Sequence, residues 1–79
     1  MQQIKPFVGE TVMYVQADDA KPVNGSREHP AIVTRVWSDG VVNLQVMYDT
    51  GPIWPATSVA RRDITSANNA HWYRPVTEG

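Results

Sequence analysis

The sequence has no cysteine and little net charge of either sign. Without cysteine the chain forms neither disulfides nor thiolate metal sites, which is typical of proteins kept in a reducing intracellular compartment. Seven basic and eight acidic side chains give a formal net charge of −1. Because binding to phosphates needs a positive excess or a basic stripe, nucleic acid ranks last among the partners that we consider.

Long apolar stretches are missing as well. No run approaches the roughly 20 apolar residues that cross a bilayer, and the opening MQQIKPFVGE lacks the apolar centre of a signal peptide. These absences predict a cytoplasmic protein without a membrane partner. A chain of 79 residues suffices for one domain, 1–79, with a small core.

Helical patterning is also lacking. Leucine occurs once, at position 44, valine is abundant and six prolines are scattered along the chain, as in strands with frequent breaks. No segment sustains the apolar period of about 3.6 residues that marks a helix. We predict strands at 11–16, 31–37, 41–48 and 53–59, with a fifth at 61–64 or within 71–74. Residues 17–30 are predicted to form a long loop, and 65–79 a linker followed by an aromatic C-terminal tail.

The turn at 38–40, Ser-Asp-Gly, decides how the two central strands pair. A two-residue turn would place Arg35 opposite Leu44, whereas a three-residue turn, with Gly40 in the left-handed conformation, would place Val36 opposite Val42. We favour the three-residue turn because it leaves Arg35 on the polar side and gathers the apolar side chains on the other. That apolar face comprises Ile32, Val36, Val42, Leu44 and Val46.

Short strands, a long first loop, a tight central hairpin and a last turn at 57–59 together indicate a small barrel. Closing the sheet removes the unpaired edges that four open strands would expose. The predicted fold is all-β, a small SH3-like barrel of the Tudor or KOW type with four to five antiparallel strands.

Several short motifs also resemble a known family. They are Gly9-Glu10-x-Val12-x-Tyr14, the run from His29 to Asp39, Val42-Asn43-Leu44-x-Val46, Thr57-Ser58-Val59 and His71-Trp72-x-x-Pro75. Together they resemble a family of short proteins encoded by tailed phages and prophages, with an SH3-like barrel pattern. The match covers nearly the whole chain, least clearly at 17–28, and the chain departs from it around 51–55. The resemblance implies synthesis in a bacterial host, with the protein cytoplasmic or carried in the virion.

Catalytic and metal-binding patterns are weak. His29 and His71 lie outside any recognisable catalytic motif, and the paired carboxylates Asp18-Asp19 fall in a predicted loop that cannot set their separation. The two histidines could meet near Glu28 or Asp63 to hold a metal, but two ordinary surface histidines are the favoured interpretation. We therefore predict no enzyme, no metal and no cofactor.

Aromatic and arginine side chains provide the stronger signal. Rings near strand ends can hold a cation, an extended peptide or a flat base, and an arginine beside them suits a phosphate or carboxylate. The candidate binding residues are Trp37, Trp54, Trp72, Arg35, Tyr48, Tyr73 and Arg74. The alternatives are that Tyr48 and Trp54 complete the core, that Trp72 plugs an open barrel end, and that the arginines form local ion pairs. Trp54, between Pro52 and Pro55, is favoured as an interface contact held by stiff extended backbone.

These features predict a non-catalytic binding module. Its first partner class is a host or phage protein, which would make the chain an accessory factor or a minor virion protein. The alternative is an oligomeric trap for a nucleotide-like small molecule that signals in the host, and nucleic-acid binding comes third. A homo-oligomer is expected because surplus exposed rings can be buried against a second copy.

Overall fold

Five strands form a closed barrel in the computed structural model, which describes residues 5–48, 51–66 and 68–75. The strands are β1 (Thr11–Val15), β2 (Glu28–Val36), β3 (Val41–Val46), β4 (Trp54–Arg61) and β5 (His71–Tyr73), with a 3₁₀ turn (Arg62–Ile64) before β5. The strands neighbour one another in chain order, and β5 closes the ring on β1. The predicted class, a small SH3-like β-barrel, is confirmed.

The expectation that all strands are antiparallel is wrong at one contact. A ring of five strands cannot reverse direction at every step, so one neighbouring pair must be parallel. That pair is β4 with β5, where Ala60 lies beside His71 and Arg61 beside Trp72. The fifth strand therefore lies at 71–73, within the segment predicted as a tail, whereas 62–64 forms the 3₁₀ turn.

Strand β2 begins earlier than predicted, inside the expected loop 17–30. It includes Pro30, which has no N–H to donate to a sheet. The carbonyl of Pro30 accepts the N–H of Met47, one residue beyond the end of β3. The missing donor of Pro30 points to that same side, where the regular ladder has ended, so its absence costs little.

The central hairpin follows the three-residue register only near its turn. Val36 pairs with Val42, as predicted, but the register then shifts by one residue between Val33 and Arg35. This β-bulge reverses which side chains point inward beyond it. Val33 is consequently buried, and the assignment of Ile32 to the core is wrong because its side chain is exposed.

Gly40 has a different role from the one predicted. Its φ is not in the left-handed region, where the described glycines are Gly9, Gly25 and Gly51. Gly40 is buried, and a Cβ at this position would collide with Cδ1 of Ile64 in the 3₁₀ turn. A side chain at position 40 would therefore require the exposed Ile64 side chain to shift.

The core fills the barrel with one aromatic ring and small aliphatic side chains. The buried members are Val12, Ala31, Val33, Val42, Leu44, Val46, Val59 and Trp72. In the described residues no helix is long and apolar enough to cross a membrane.

Candidate functional site

Arg35 and Trp37 form an exposed stacked pair beside the central turn. The guanidinium carbon of Arg35 lies 4.0 Å from the centroid of the Trp37 ring, within the range of a cation–π contact. The Trp37 indole N–H donates to Oδ1 of Asn43 at 2.9 Å, yet the residue keeps 52% of its surface exposed. The ring is therefore held in one orientation while its outer surface remains open.

Asn43 is a site residue that sequence reasoning missed. The register between β3 and β4 shifts between Val42 and Leu44, and Ser58 in β4 adopts a left-handed φ of 54°. The N–H of Ser58 donates to Asn43 Oδ1 at 2.8 Å. One amide oxygen thus binds both the irregular strand and the Trp37 ring. No sequence signal marks this role, because it depends on bulges that bring distant residues together.

Replacing Asn43 by alanine tests this anchoring. We expect a loss of about 1 kcal/mol in the free energy of unfolding, because water can reach both orphaned donors at this exposed face. The indole ¹⁵N–¹H signal of Trp37 should show faster local motion in relaxation measurements. Asn43→Asp, which keeps an acceptor oxygen, should retain the restrained ring. Equal ring mobility in both variants would contradict the anchoring role.

Trp54 is exposed as well, but it does not join the Arg35–Trp37 pair. It keeps 54% of its surface exposed and pairs with Val46 at the far end of β3. Trp37 lies beside Val41, where β3 begins. At about 3.4 Å per residue, the two backbone positions are separated by roughly 17 Å along the strand. The predicted aromatic surface is therefore divided into two places.

Trp72 is not a surface contact residue. Its side chain is fully buried, and its indole N–H donates to the carbonyl of Gly40 at 3.0 Å. It points inward because it pairs with Tyr14 when β5 closes the barrel on β1. The prediction that Trp72 forms part of the exposed binding surface is wrong, and the burial of the ring agrees with the alternative that it plugs an open end of the barrel. Tyr48 is also partly buried against the core, in agreement with its core alternative.

Tyr73 and Arg74 extend from β5 into a second polar cluster. The Tyr73 hydroxyl donates to Glu28 Oε1, and the Arg62 guanidinium lies 3.9 Å from the Tyr73 ring centroid. Arg74 forms a two-pronged contact with Glu10, with Nη2 at 3.2 Å from Oε1. This pair neutralises Arg74 and ties the end of β5 to the residue before β1.

A shallow cleft of about 220 Å³ opens beside this cluster. It is lined by Arg61, Arg62, Asp63, Tyr73 and Arg74. Arg61 Nε donates to Asp63 at 2.6 Å, and this hydrogen bond holds the pKa of Asp63 below its usual value. Within the described segments Arg62 alone of the three lining arginines has no carboxylate partner.

Two tyrosines should make the fold sensitive to alkali. Burial, with a smaller effect of Tyr48, raises the pKa of Tyr14, and the hydrogen bond to Glu28, followed by burial, raises the pKa of Tyr73. Below the unfolded pKa of about 10, both phenols therefore make their full contribution to the free energy of unfolding. That contribution is lost as pH rises through the higher folded pKa.

We accordingly expect the free energy of unfolding to decline above about pH 10. Urea titrations at a series of alkaline pH values measure the slope. The double variant Tyr14→Phe, Tyr73→Phe should decline less steeply than the wild type over the same range, although its stability at neutral pH is lower. Parallel slopes in the two proteins would contradict the assigned cause.

The two histidines are buried, so the prediction that both lie at the surface is wrong. His29 Nε2 lies 3.2 Å from Gln16 Oε1, whereas His71 Nδ1 donates to the carbonyl of Asn69 at 2.8 Å. The loop after β1 covers His29, because Gln16 also forms hydrogen bonds with Lys21 and Val23 in that loop. Among the residues that the structure describes, no group of three or more His, Cys, Asp or Glu is arranged to hold a metal.

The fold and the site define the class of protein: a small SH3-like barrel with an exposed, anchored arginine–tryptophan pair. No family model, curated protein or solved structure matches the chain in comparisons with known proteins. The likeness to short phage proteins therefore stays a prediction from the sequence motifs.

Proposed function

We propose that the protein is a non-catalytic binding module that contacts another protein through the Arg35–Trp37 pair. The observation that supports this most directly is the anchored ring: Trp37 is half exposed while Asn43 and Arg35 restrain it from two sides. Tryptophan and arginine carry much of the binding energy in protein interfaces. A ring restrained in the free protein loses little conformational entropy on binding.

The proposed partner is a host or phage protein in the bacterial cytoplasm. This setting follows from the resemblance to proteins of tailed phages and from the absence of cysteine. An accessory factor that acts on a host protein and a minor virion component both fit it. The two roles differ in whether the partner comes from the host or from the phage.

An anionic small molecule is the second candidate ligand, and Arg62 is the observation that favours it. Its guanidinium stacks on Tyr73 at the cleft of about 220 Å³ and lacks a carboxylate partner in the described residues. A nucleotide-like phosphate would suit this group. Native mass spectrometry of protein purified from bacterial lysate would show the added mass, and Arg62→Ala should abolish it.

Photo-crosslinking in bacterial cells tests the main proposal. A photoreactive amino acid replaces Ser38, which is exposed beside Trp37, and the same residue at exposed Asp19 in the first loop is the control. We expect a discrete adduct only when the cross-linker is at position 38. Its mass should equal that of this chain plus a second, different protein. Equal adducts from both positions, or none from position 38 in host or infected cells, would refute the proposal.

A further inference from the structure

The outer face of β2 carries opposite charges at its two ends. Glu28 is exposed at the start of the strand and Arg35 is exposed near its end. Neither forms an ion pair with any residue of 5–48, 51–66 or 68–75. Both are nevertheless held in place, Glu28 by the hydroxyl of Tyr73 and Arg35 by the ring of Trp37.

Two rows of uncharged side chains, each running across neighbouring strands, separate these charges. Residues that pair across strands point to the same side of a sheet, so the rows can be read from the register. On β1, β2 and the end of β3, the first row consists of Met13, Pro30 and Met47, and the second of Thr11, Ile32 and Gln45. Tyr73 continues the first row onto β5 and Pro55 continues the second onto β4, around the barrel. We call these rows, together with Glu28 and Arg35, the β2 face.

The bulge in β2 sets the spacing of the β2 face. Arg35 pairs with Asn43, and Ile32 pairs with Gln45, two residues further along β3. Arg35 therefore occupies the row directly after Ile32, although two residues lie between them in the sequence instead of the one that regular alternation would give. The face reads acid, first row, second row, base, at steps of about 6.8 Å. The centre of this pattern falls between the two uncharged rows.

We propose that the β2 face is the contact surface of a symmetric homodimer. A twofold axis between two copies, perpendicular to β2 and passing between the two rows, reverses the direction of the strand. It places Glu28 of one protomer opposite Arg35 of the other, and the same pair forms a second time. The first row of each copy then packs on the second row of the other, so the axis buries Ile32 and Pro30 in the contact.

The order of charges makes a second copy the occupant of this face. A surface with acid and base at equal distances from its centre is its own electrostatic complement under a twofold axis. Because a closed barrel of five strands curves away on both sides of β2, only β1, β2 and β3 can share one contact. Strand spacings of about 4.8 Å and three row steps then give a footprint of roughly 200 Å² per protomer. Stable interfaces bury about 800 Å² per partner. The dimer should therefore be weak, with a Kd in the micromolar range or above, and should weaken with salt.

The inference goes beyond the proposed function, which assigns a different protein to the Arg35–Trp37 pair at one end of the β2 face. The two fail separately. Cross-linking in cells detects a different protein, whereas self-association is measured with the purified 79-residue chain alone. A weak dimer also leaves the face open to a competing partner at low concentration.

Sedimentation equilibrium with charge-reversed variants tests the dimer. Arg35→Glu places two acidic side chains in each contact of its homodimer, and Glu28→Arg places two basic ones. Each variant alone should therefore dimerise about tenfold more weakly, or worse. An equimolar mixture of the two should form a heterodimer at near wild-type strength, since both contacts again join opposite charges. Restoration by mixing cannot come from repair of a misfolded chain, because the mixture contains the same two variants.

The double variant Lys21→Glu, Asp19→Arg is the matched control, because it reverses two exposed charges in the first loop, outside the β2 face. It should dimerise like the wild type. Three results would overturn the inference: a monomeric wild type up to about 1 mM, a single reversal without effect, or a mixture that stays monomeric.

Discussion

Replacing Trp72 by alanine is expected to cost about 3–5 kcal/mol of folding free energy, the usual range for deleting a buried aromatic ring. The indole is fully buried in the barrel and is the largest of the core side chains. A chain of 79 residues has a total stability of about 4–12 kcal/mol at the usual 0.05–0.15 kcal/mol per residue. The change therefore removes much of the stability and unfolds the protein if that total is at the low end.

Urea unfolding followed by far-ultraviolet circular dichroism measures this loss. Trp72→Phe, which refills most of the space, should cost clearly less than the alanine variant. Trp54→Ala is the exposed control and should cost about 1 kcal/mol or less, because over half of that ring is already in contact with solvent. Equal midpoints for the Trp72 and Trp54 variants would show that Trp72 lies outside the core.

Replacing Trp37 by alanine should remove partner binding and leave the barrel folded. An interface tryptophan of this kind contributes about 2 kcal/mol or more, which corresponds to a roughly thirtyfold weaker complex. The structural basis is the stack with Arg35 and the hydrogen bond to Asn43, which hold the ring ready for contact. The yield of the adduct from the cross-linker at position 38 should fall accordingly, without a change of more than about 1 kcal/mol in unfolding free energy.

Trp54→Ala is the matched control for this binding experiment. Trp54 and Trp37 are almost equally exposed, at 54% and 52%, but they lie at opposite ends of β3. A specific site at Trp37 predicts full adduct yield from the Trp54 variant. An equal fall in both variants would instead indicate non-specific adhesion through exposed rings and would count against the proposed site.

Part of the candidate site could be predicted from the sequence. Arg35 and Trp37 flank the turn, and the local register near that turn follows from the residues at 38–40. Their exposure on the outer side was expected, and the structure places them there. Asn43 escaped notice because its two hydrogen-bond partners, Trp37 and Ser58, come together only when β4 pairs with β3 through a bulge.

The histidines and Trp72 show where the same reasoning fails. Local composition suggests solvent exposure for a polar ring beside a proline and for an aromatic tail after a polar linker. Burial of His29 depends on Gln16 and the loop after β1, and burial of Trp72 depends on β5 closing the ring between β1 and β4. These contacts join distant parts of the chain, so no window of sequence contains both partners.

The sequence by itself determined an all-β domain, the approximate strand positions and a tight central turn, because valine-rich runs between prolines, glycines and polar residues specify extended segments locally. Only the tertiary structure decided which side of each strand faces inward. A single bulge between Val33 and Arg35 shifts the alternation by one residue, which buries Val33 and exposes Ile32. Closing five strands into a ring then made one pair parallel and buried Trp72. Neither result can be read from any one strand, because each depends on contacts between distant parts of the chain.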